Sequence, residues 1–176
     1  QSGDTEGTPG CTLRTGDKEL TIDHGVIVAK RHILAIDGHP ESVLAGVADI
    51  IVERAQEAAA PYGAPAYTDY IEMLDAEKPD ACIINLPHGL HEAAAVACAQ
   101  RGIHTLLEKP MCVTTEEAVE IIRAEKESGK LLSIGFQPRL DENMKMIKKI
   151  VESGDLGQIY YIQTGGGRRR GIPTPY

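Results

Sequence analysis

Short apolar runs alternate with longer segments of helical spacing along most of the chain, starting near residue 29. Apolar runs of about five residues between turn signals are typical of buried strands, whereas about ten residues with a 3.6-residue period are typical of helices. Strands that are apolar on both faces and separated by helices predict right-handed βαβ units and a parallel sheet. We therefore expect an α/β fold.

The alternation places each predicted element. Helices are expected over 29–37, 52–60, 70–76, 91–100, 114–128 and 141–152, and strands over 43–48, 81–85, 103–107, 131–135 and 158–163. Thr68 is expected to cap the third of these helices, because its hydroxyl can accept a free backbone N–H. Thr114 and Glu117 have the spacing of a capping box, and Gly102 is suited to a left-handed helix end.

Composition and charge narrow the class of protein. Of the 176 residues, 42% are hydrophobic and 25% are charged, which suits a globular domain with its own core. A net charge of −8 and the lack of a long basic run argue against a nucleic-acid-binding surface. No apolar run approaches the ~20 residues of a membrane helix, and no secretory signal is visible. We expect neither nucleic acid nor a membrane as a partner.

The two ends of the chain differ from its middle. Residues 1–20 begin with a polar, glycine-rich stretch and are expected to form a disordered or tag-like arm. Residues 21–156 hold the alternating elements and form the main predicted domain. Residues 157–176 are expected to start a truncated second domain for substrate binding or oligomerisation, because the chain stops soon after a strand-like segment.

Cysteine and histidine spacing predicts no metal site. The four cysteines have no metal-like spacing; they are Cys11, Cys82, Cys98 and Cys112. We expect reduced, structural thiols and a cytoplasmic location, with Cys82 and Cys98 as small core residues. His88 and His91 have i, i+3 spacing, but no third ligand is suitably spaced, so a helix-start or pocket-wall role is expected instead.

Glu108, Lys109 and Pro110 directly follow the predicted strand over 103–107, and a predicted helix comes after them. Open α/β sheets bind ligands at the carboxyl edge of their strands, which is where a buried strand would deliver this tripeptide. A lysine beside a glutamate is a candidate catalytic pair at that edge. The alternative is a surface ion pair between the two side chains, which contributes little to stability.

Asp49 ends the predicted strand over 43–48, where a dinucleotide fold positions an acid for the adenosine ribose hydroxyls. A carboxylate there repels a 2′-phosphate, so NAD is favoured over NADP. The alternative, that Asp49 caps the following helix, has equal weight from the residues alone. The phosphate-binding pattern G-x-G-x-x-G is reduced to Gly25 and Ala29, which argues against tight cofactor binding.

Two further segments carry polar groups. The turn from Asn85 through Pro87 and His88 to His91 links a strand to a helix and would border a bound nicotinamide nucleotide. Arg168 is the first of three arginines that follow a glycine triplet. These arginines could grip an anionic substrate or form a solvated loop tip, and both alternatives remain open.

Taken together, these segments resemble the Gfo/Idh/MocA family of NAD(P)-dependent oxidoreductases, named for glucose-fructose oxidoreductase, inositol dehydrogenase and rhizopine catabolism. The resemblance covers residues 26–176. It rests on an ordered set of segments, namely 29–32 with 35–36, 47–50 with 53–55, 67–70, 86–88 with 91, 102–104 leading to 108–110, 135–137 with 139, 154–157 and 168–173. The residues before position 26 align with nothing in the family.

The resemblance implies a Rossmann domain with a doubly wound parallel sheet, followed by a second α/β domain. It implies that Lys109 contacts the substrate hydroxyl and the nicotinamide ribose, and that Glu108 orients or tunes Lys109. Asp49 would be the ribose-binding acid, and the bond before Pro110 is a candidate cis peptide. The other implied site residues are Pro87, His88 and His91 beside the nicotinamide, and Gln137 and Arg139 at the edge of the same cleft.

The implied activity is hydride transfer from a secondary alcohol of a sugar or polyol to NAD⁺, with Lys109 countering the charge that develops on the reacting oxygen. The family's acid–base pair lies in the second domain, where no residue of this chain is assigned to it, and a homo-oligomer would form through that domain. The rival hypothesis is a truncated, non-catalytic module that binds a partner or no ligand. The degraded phosphate loop favours the rival, whereas Asp49 and Lys109 favour the enzyme.

Overall fold

The computed structural model of the chain describes residues 20–23 and 28–165. Strands in this part of the chain are β1 Leu20–Asp23, β2 Val47–Ala48, β3 Ala66–Tyr67, β4 Ala81–Asn85, β5 His104–Leu107 and β6 Leu132–Ile134. The α-helices are α1 Val28–Asp37, α2 Val52–Ala59, α3 Tyr70–Glu77, α4 His91–Gln100, α5 Thr115–Ser128 and α6 Glu142–Glu152. Strands and helices therefore alternate as the apolar pattern predicts.

The six strands form one sheet in the order β3-β2-β1-β4-β5-β6, and every neighbouring pair is parallel. This order confirms the prediction of a doubly wound α/β fold of the Rossmann type. The order reverses between β1 and β4, whose last residues, Asp23 and Asn85, are paired in register. Ligands of such sheets bind outside the carboxyl ends of the strands at this switch point.

The core lies on both faces of the sheet, because successive residues of β4 enter two different buried clusters. Cys82 and Ile84 join a cluster with residues of α3, α4 and α5, whereas Ile83 joins a cluster with residues of α1 and α2. A strand whose side chains alternate between two covered faces must be apolar throughout, which explains the continuous apolar run. Cys82 and Cys98 are buried in the first cluster, as predicted.

Helix ends agree with the sequence except at α3. The capping box of α5 is present, since the Glu117 N–H donates to Thr114 Oγ1 at 3.2 Å and the Glu117 side chain accepts from the Thr114 N–H. The predicted cap of α3 is wrong. Asp69 is the N-cap and accepts from the Ile71 N–H at 2.6 Å, because it directly precedes the first helical residue, and Thr68 lies one position too early.

The strands differ more from the prediction than the helices do. The strand expected over 43–48 is reduced to β2, and β3, only two residues long, was not predicted. The strand expected over 158–163 is wrong, because these residues are exposed and pair with no strand in the part of the chain that the structure describes. An extended segment becomes a strand only through bonds to a neighbouring strand.

Contacts divide the described chain into two compact units, one up to Gly135 and one from Phe136 onward. The second unit contains α6, which begins after Asp141, whose carboxylate accepts from the N–H groups of Asn143 and Met144. The domain boundary that the sequence predicts at 156/157 stays a prediction. None of the helices described above is both long enough and apolar enough to cross a membrane.

Candidate active site

Polar side chains gather at the carboxyl edge of the sheet. Asp49 follows β2, Asn85 ends β4, and Glu108 and Lys109 follow β5. Because the strands are parallel, these positions share one edge of the sheet. The side chains of Asp49, Asn85 and Glu108 are buried, with 3%, 4% and 6% exposure, whereas Lys109 is exposed. Three buried polar residues beside an exposed lysine mark this edge as the candidate site.

Asp49 leaves one carboxylate oxygen available at this edge. Its Oδ1 accepts a hydrogen bond from the Ile51 N–H at 2.8 Å and so fixes the turn between β2 and α2. Ile51 is itself the N-cap of α2 and provides no side-chain cap, so Asp49 supports the turn rather than the free N–H groups of the helix. Among the described residues, Oδ2 has no hydrogen-bond partner, which leaves it able to accept from a ribose hydroxyl.

Glu108 connects three parts of the first unit. Its Oε1 lies 3.1 Å from His32 Nε2 on α1, and its Oε2 accepts from the Lys109 backbone N–H at 3.1 Å. Gly135 lies against the same carboxylate, and a Cβ there would come within 3.0 Å of Oε1. Burial raises the pKa of Glu108, but the hydrogen bonds with His32 and the Lys109 backbone N–H, together with the nearby Lys109 ammonium, outweigh it and lower the pKa overall.

Lys109 does not form the surface ion pair that was the alternative for this dipeptide. The Glu108 carboxylate binds the backbone of Lys109, and no carboxylate of the described residues lies within ion-pair distance of its ammonium. The Lys109–Pro110 peptide bond is cis, so the candidate from the sequence is confirmed. The ammonium therefore remains at the sheet edge, where a ligand oxygen could meet it.

The turn after β4 separates exposed from buried residues. Pro87 and His88 are exposed, and His88 opens a 3₁₀ turn that leads into α4. His91 is fully buried, with its Nε2 at 2.7 Å from the Leu86 carbonyl oxygen and its Nδ1 at 2.8 Å from the Pro110 carbonyl oxygen. Both ring nitrogens of His91 are thus occupied by the backbone. Its predicted contact with a cofactor stays a prediction.

The sequence placed Asn85 in the turn expected beside the nicotinamide and His32 in a segment of the family resemblance, but it indicated no individual role for either side chain. Within the residues that the structure describes, neither the Oδ1 nor the Nδ2 of Asn85 has a hydrogen-bond partner, although both atoms are buried. An unpaired buried polar group costs about 1–3 kcal/mol, and most such groups in proteins find a partner. The one signal in the sequence was a polar residue at the end of the apolar strand β4. His32 carried no signal for its contact with Glu108.

NAD carries hydroxyl, phosphate and amide groups, and the carboxyl edge of the sheet offers matching hydrogen-bond partners. The free oxygen of Asp49 accepts from hydroxyls, the Asn85 amide can both donate and accept, and Lys109 can donate to oxygen. These residues therefore fit such a ligand. Within the described ranges, no cluster of three or more His, Cys, Asp or Glu side chains could hold a metal ion.

The other predicted site residues lie elsewhere. Gly25 and Arg168 are outside the residues that the structure describes. Gln137 and Arg139 belong to the second unit, in an exposed 3₁₀ turn where the Arg139 guanidinium lies 5.3 Å from the centre of the Phe136 ring. Their role in substrate binding stays a prediction.

Comparison with known proteins agrees with this geometry. Residues 24–136 match the family model GFO_IDH_MocA, described as an oxidoreductase family with an NAD-binding Rossmann fold. An inositol 2-dehydrogenase of Salmonella typhimurium is 34% identical over 115 residues, which are 64% of this chain and 34% of that protein. A D-glucoside 3-dehydrogenase of Escherichia coli is 30% identical over 153 residues, 86% of this chain and 44% of that protein. The chain thus spans less than half of these curated relatives.

Solved structures show the same fold. The WlbA dehydrogenase of Bordetella pertussis, solved with NADH and UDP-GlcNAcA, has a TM-score of 0.75 and 33% identity, over 80% of this chain and 43% of that one. The myo-inositol 2-dehydrogenase of Lactobacillus plantarum has a TM-score of 0.73 and 26% identity, over 84% of this chain and 43% of that one.

Proposed function

This chain belongs to the Gfo/Idh/MocA oxidoreductase family, whose Rossmann fold binds NAD, and we propose that it supplies the NAD-binding domain of a dehydrogenase acting on a secondary alcohol of a sugar or polyol. The observation that carries the proposal is the gathering of Asp49, Asn85 and Lys109 at one carboxyl edge of one parallel sheet. Relatives named for inositol and a D-glucoside support the substrate class.

Asp49 is the residue proposed to bind the adenosine ribose of the nucleotide. Its Oδ1 is used by the turn into α2, and its Oδ2 accepts from the adenosine ribose hydroxyls. The same charge repels a 2′-phosphate, which favours NAD over NADP. Pro87 and His88 line the nicotinamide side from the exposed turn after β4. When bound, NAD supplies the site that accepts or donates hydride.

Lys109 acts on the substrate. Its ammonium, which is not neutralised by Glu108, stabilises negative charge on the reacting oxygen. Glu108 contributes indirectly, because its carboxylate fixes the Lys109 backbone and is itself fixed by His32. Gln137 and Arg139 are proposed to contact the substrate. Self-association through a second domain and a cytoplasmic location complete the proposal. The location is supported by Cys82, Cys98 and Cys112, none of which forms a disulfide within the described residues.

Thermal stability measured against nucleotide concentration tests the proposal. At one hundred times its dissociation constant, NAD⁺ or NADH should stabilise the chain by roughly 2.7 kcal/mol. Asp49→Arg should abolish the response to NADH and leave a response to NADPH. The matched control is Asp37→Arg, at the exposed end of α1, which should keep the response to NADH. If neither nucleotide changes the melting temperature of the unmodified chain, the non-catalytic module becomes the better explanation.

A further inference from the structure

The buried ring of His91 makes two contacts that a neutral histidine cannot satisfy together. Its Nε2 lies 2.7 Å from the carbonyl oxygen of Leu86, and its Nδ1 lies 2.8 Å from the carbonyl oxygen of Pro110. A carbonyl oxygen only accepts, and a neutral imidazole has a single N–H. With one hydrogen, the second nitrogen would set its lone pair against a carbonyl oxygen at hydrogen-bond distance.

We propose that His91 carries hydrogen on both ring nitrogens, and that this charged ring joins the turn after β4 to the turn after β5 and thereby positions Lys109. Leu86 begins the first turn and directly precedes Pro87. Pro110 is joined to Lys109 by the cis peptide bond of the second turn. One side chain therefore fixes the two backbone segments from which the proposed nicotinamide-side and catalytic residues project.

The charge of the ring has identifiable costs and compensations. His91 is fully buried and is the first residue of α4, so both the loss of hydration and the helix dipole disfavour a positive charge on the ring. Two charge-assisted hydrogen bonds oppose this cost, and Glu92 adds a negative charge in the same first turn. The His88 ring meets the His91 ring edge-on, with 5.7 Å between the centroids, and covers it on the exposed side of the turn.

Nuclear magnetic resonance on the 19.0 kDa chain with nitrogen-15 histidines tests the protonation directly, without nucleotide. We expect two slowly exchanging ring N–H protons for His91, one on each ring nitrogen. The control is His39, which lies exposed after α1 and should give no persistent ring N–H signal. A single protonated ring nitrogen on His91 would overturn the proposal.

Substitution tests the positioning, a step that rests on the proposed function because its readout is nucleotide binding. His91→Phe keeps a ring and removes both donors, whereas His91→Gln keeps donors on one nitrogen. We expect the dissociation constant for NADH to rise about tenfold or more in the His91→Phe variant, which corresponds to a loss of about 1.4 kcal/mol or more of binding free energy. The rise should be smaller in the His91→Gln variant. Backbone amide signals of Leu86, His88, Lys109 and Met111 should shift in both variants. His39→Gln should change neither.

The outcomes separate the two proposals. The variants could have lower melting temperatures but unchanged NADH affinity and unchanged backbone amide signals in the turn after β5. His91 would then contribute only to stability, and the positioning role would be wrong. If the unmodified chain binds no NADH, the proposed function fails, while the ring N–H signals and the amide shifts still decide the role of His91. If a variant does not fold, the ring N–H measurement on the unmodified chain decides the protonation.

Discussion

Glu108 is a buried carboxylate that its neighbours keep charged. Burial favours the neutral acid, but the hydrogen bonds with His32 and the Lys109 backbone N–H, together with the nearby Lys109 ammonium, lower the pKa of Glu108. A carboxyl group with a lowered pKa in the folded state adds stability above its unfolded pKa. This stability is lost as the pH falls through the lower, folded-state pKa.

We expect Glu108→Gln to reduce the free energy of unfolding at neutral pH by about 2 kcal/mol, because hydrogen bonds to charged groups contribute about 1.5–3 kcal/mol. The difference from the unmodified chain should shrink in acid, where Glu108 is protonated in both states. Urea denaturation at neutral and at acidic pH measures both values. Glu57→Gln, on the exposed side of α2, is the control and should have little effect. A loss of stability that is equal at both pH values would contradict the charged carboxylate.

Replacing Asn85 is expected to change stability and NADH binding in opposite directions. Its amide is buried without a hydrogen-bond partner among the described residues, so Asn85→Leu should keep or raise the free energy of unfolding, by up to about 1 kcal/mol. The same change should weaken NADH binding about tenfold, or about 1.4 kcal/mol, because the ligand loses a polar contact at the end of β4. Chemical denaturation and NADH titration of the two chains measure the effects. A large loss of stability with unchanged NADH affinity would show that the amide serves the fold instead.

Helices were easier to predict than strands because their end signals are local. The capping box of α5, the left-handed glycines at 102 and 129 and the span of α4 all follow from residues a few positions apart. β2 and β3 depend instead on pairing between distant segments, and two paired residues leave almost no periodic signal. The segment 158–163 has the pattern of a strand, but pattern alone supplies no neighbour to bind.

The capping box offers a direct test of such a local signal. Thr114→Ala should lower the free energy of unfolding by about 1 kcal/mol, since it removes the side-chain acceptor for the Glu117 N–H. Glu117→Ala made in the Thr114→Ala background should cost less than it does alone, because the two residues form one reciprocal motif. Thr115→Ala, one position later and exposed, is the matched control. Additive effects in the double-mutant cycle would contradict a coupled cap.

At the scale of the whole first unit, the site is assembled by topology. The sequence predicted where β2, β4 and β5 end, so it identified Asp49, Glu108 and Lys109. It could not predict that His32 reaches Glu108, because 76 positions separate them and only the packing of α1 against the sheet brings them together. It could not predict that both nitrogens of His91 are occupied, because their partners are backbone atoms whose positions depend on two turns.

If one nucleotide lies along the carboxyl edge, its binding must protect the residues that follow several strands at once. We expect saturating NADH to slow amide hydrogen exchange together at residues 49–51, at 86 and 88, and at 108, 109 and 111, which follow β2, β4 and β5. Residues 38–42, which lead from α1 into β2 at the opposite edge, should exchange at unchanged rates, and α6 of the second unit serves as a further reference. Protection confined to a single turn would mean that Asp49 and Lys109 do not serve one ligand, and the proposed dehydrogenase site would then have to be abandoned.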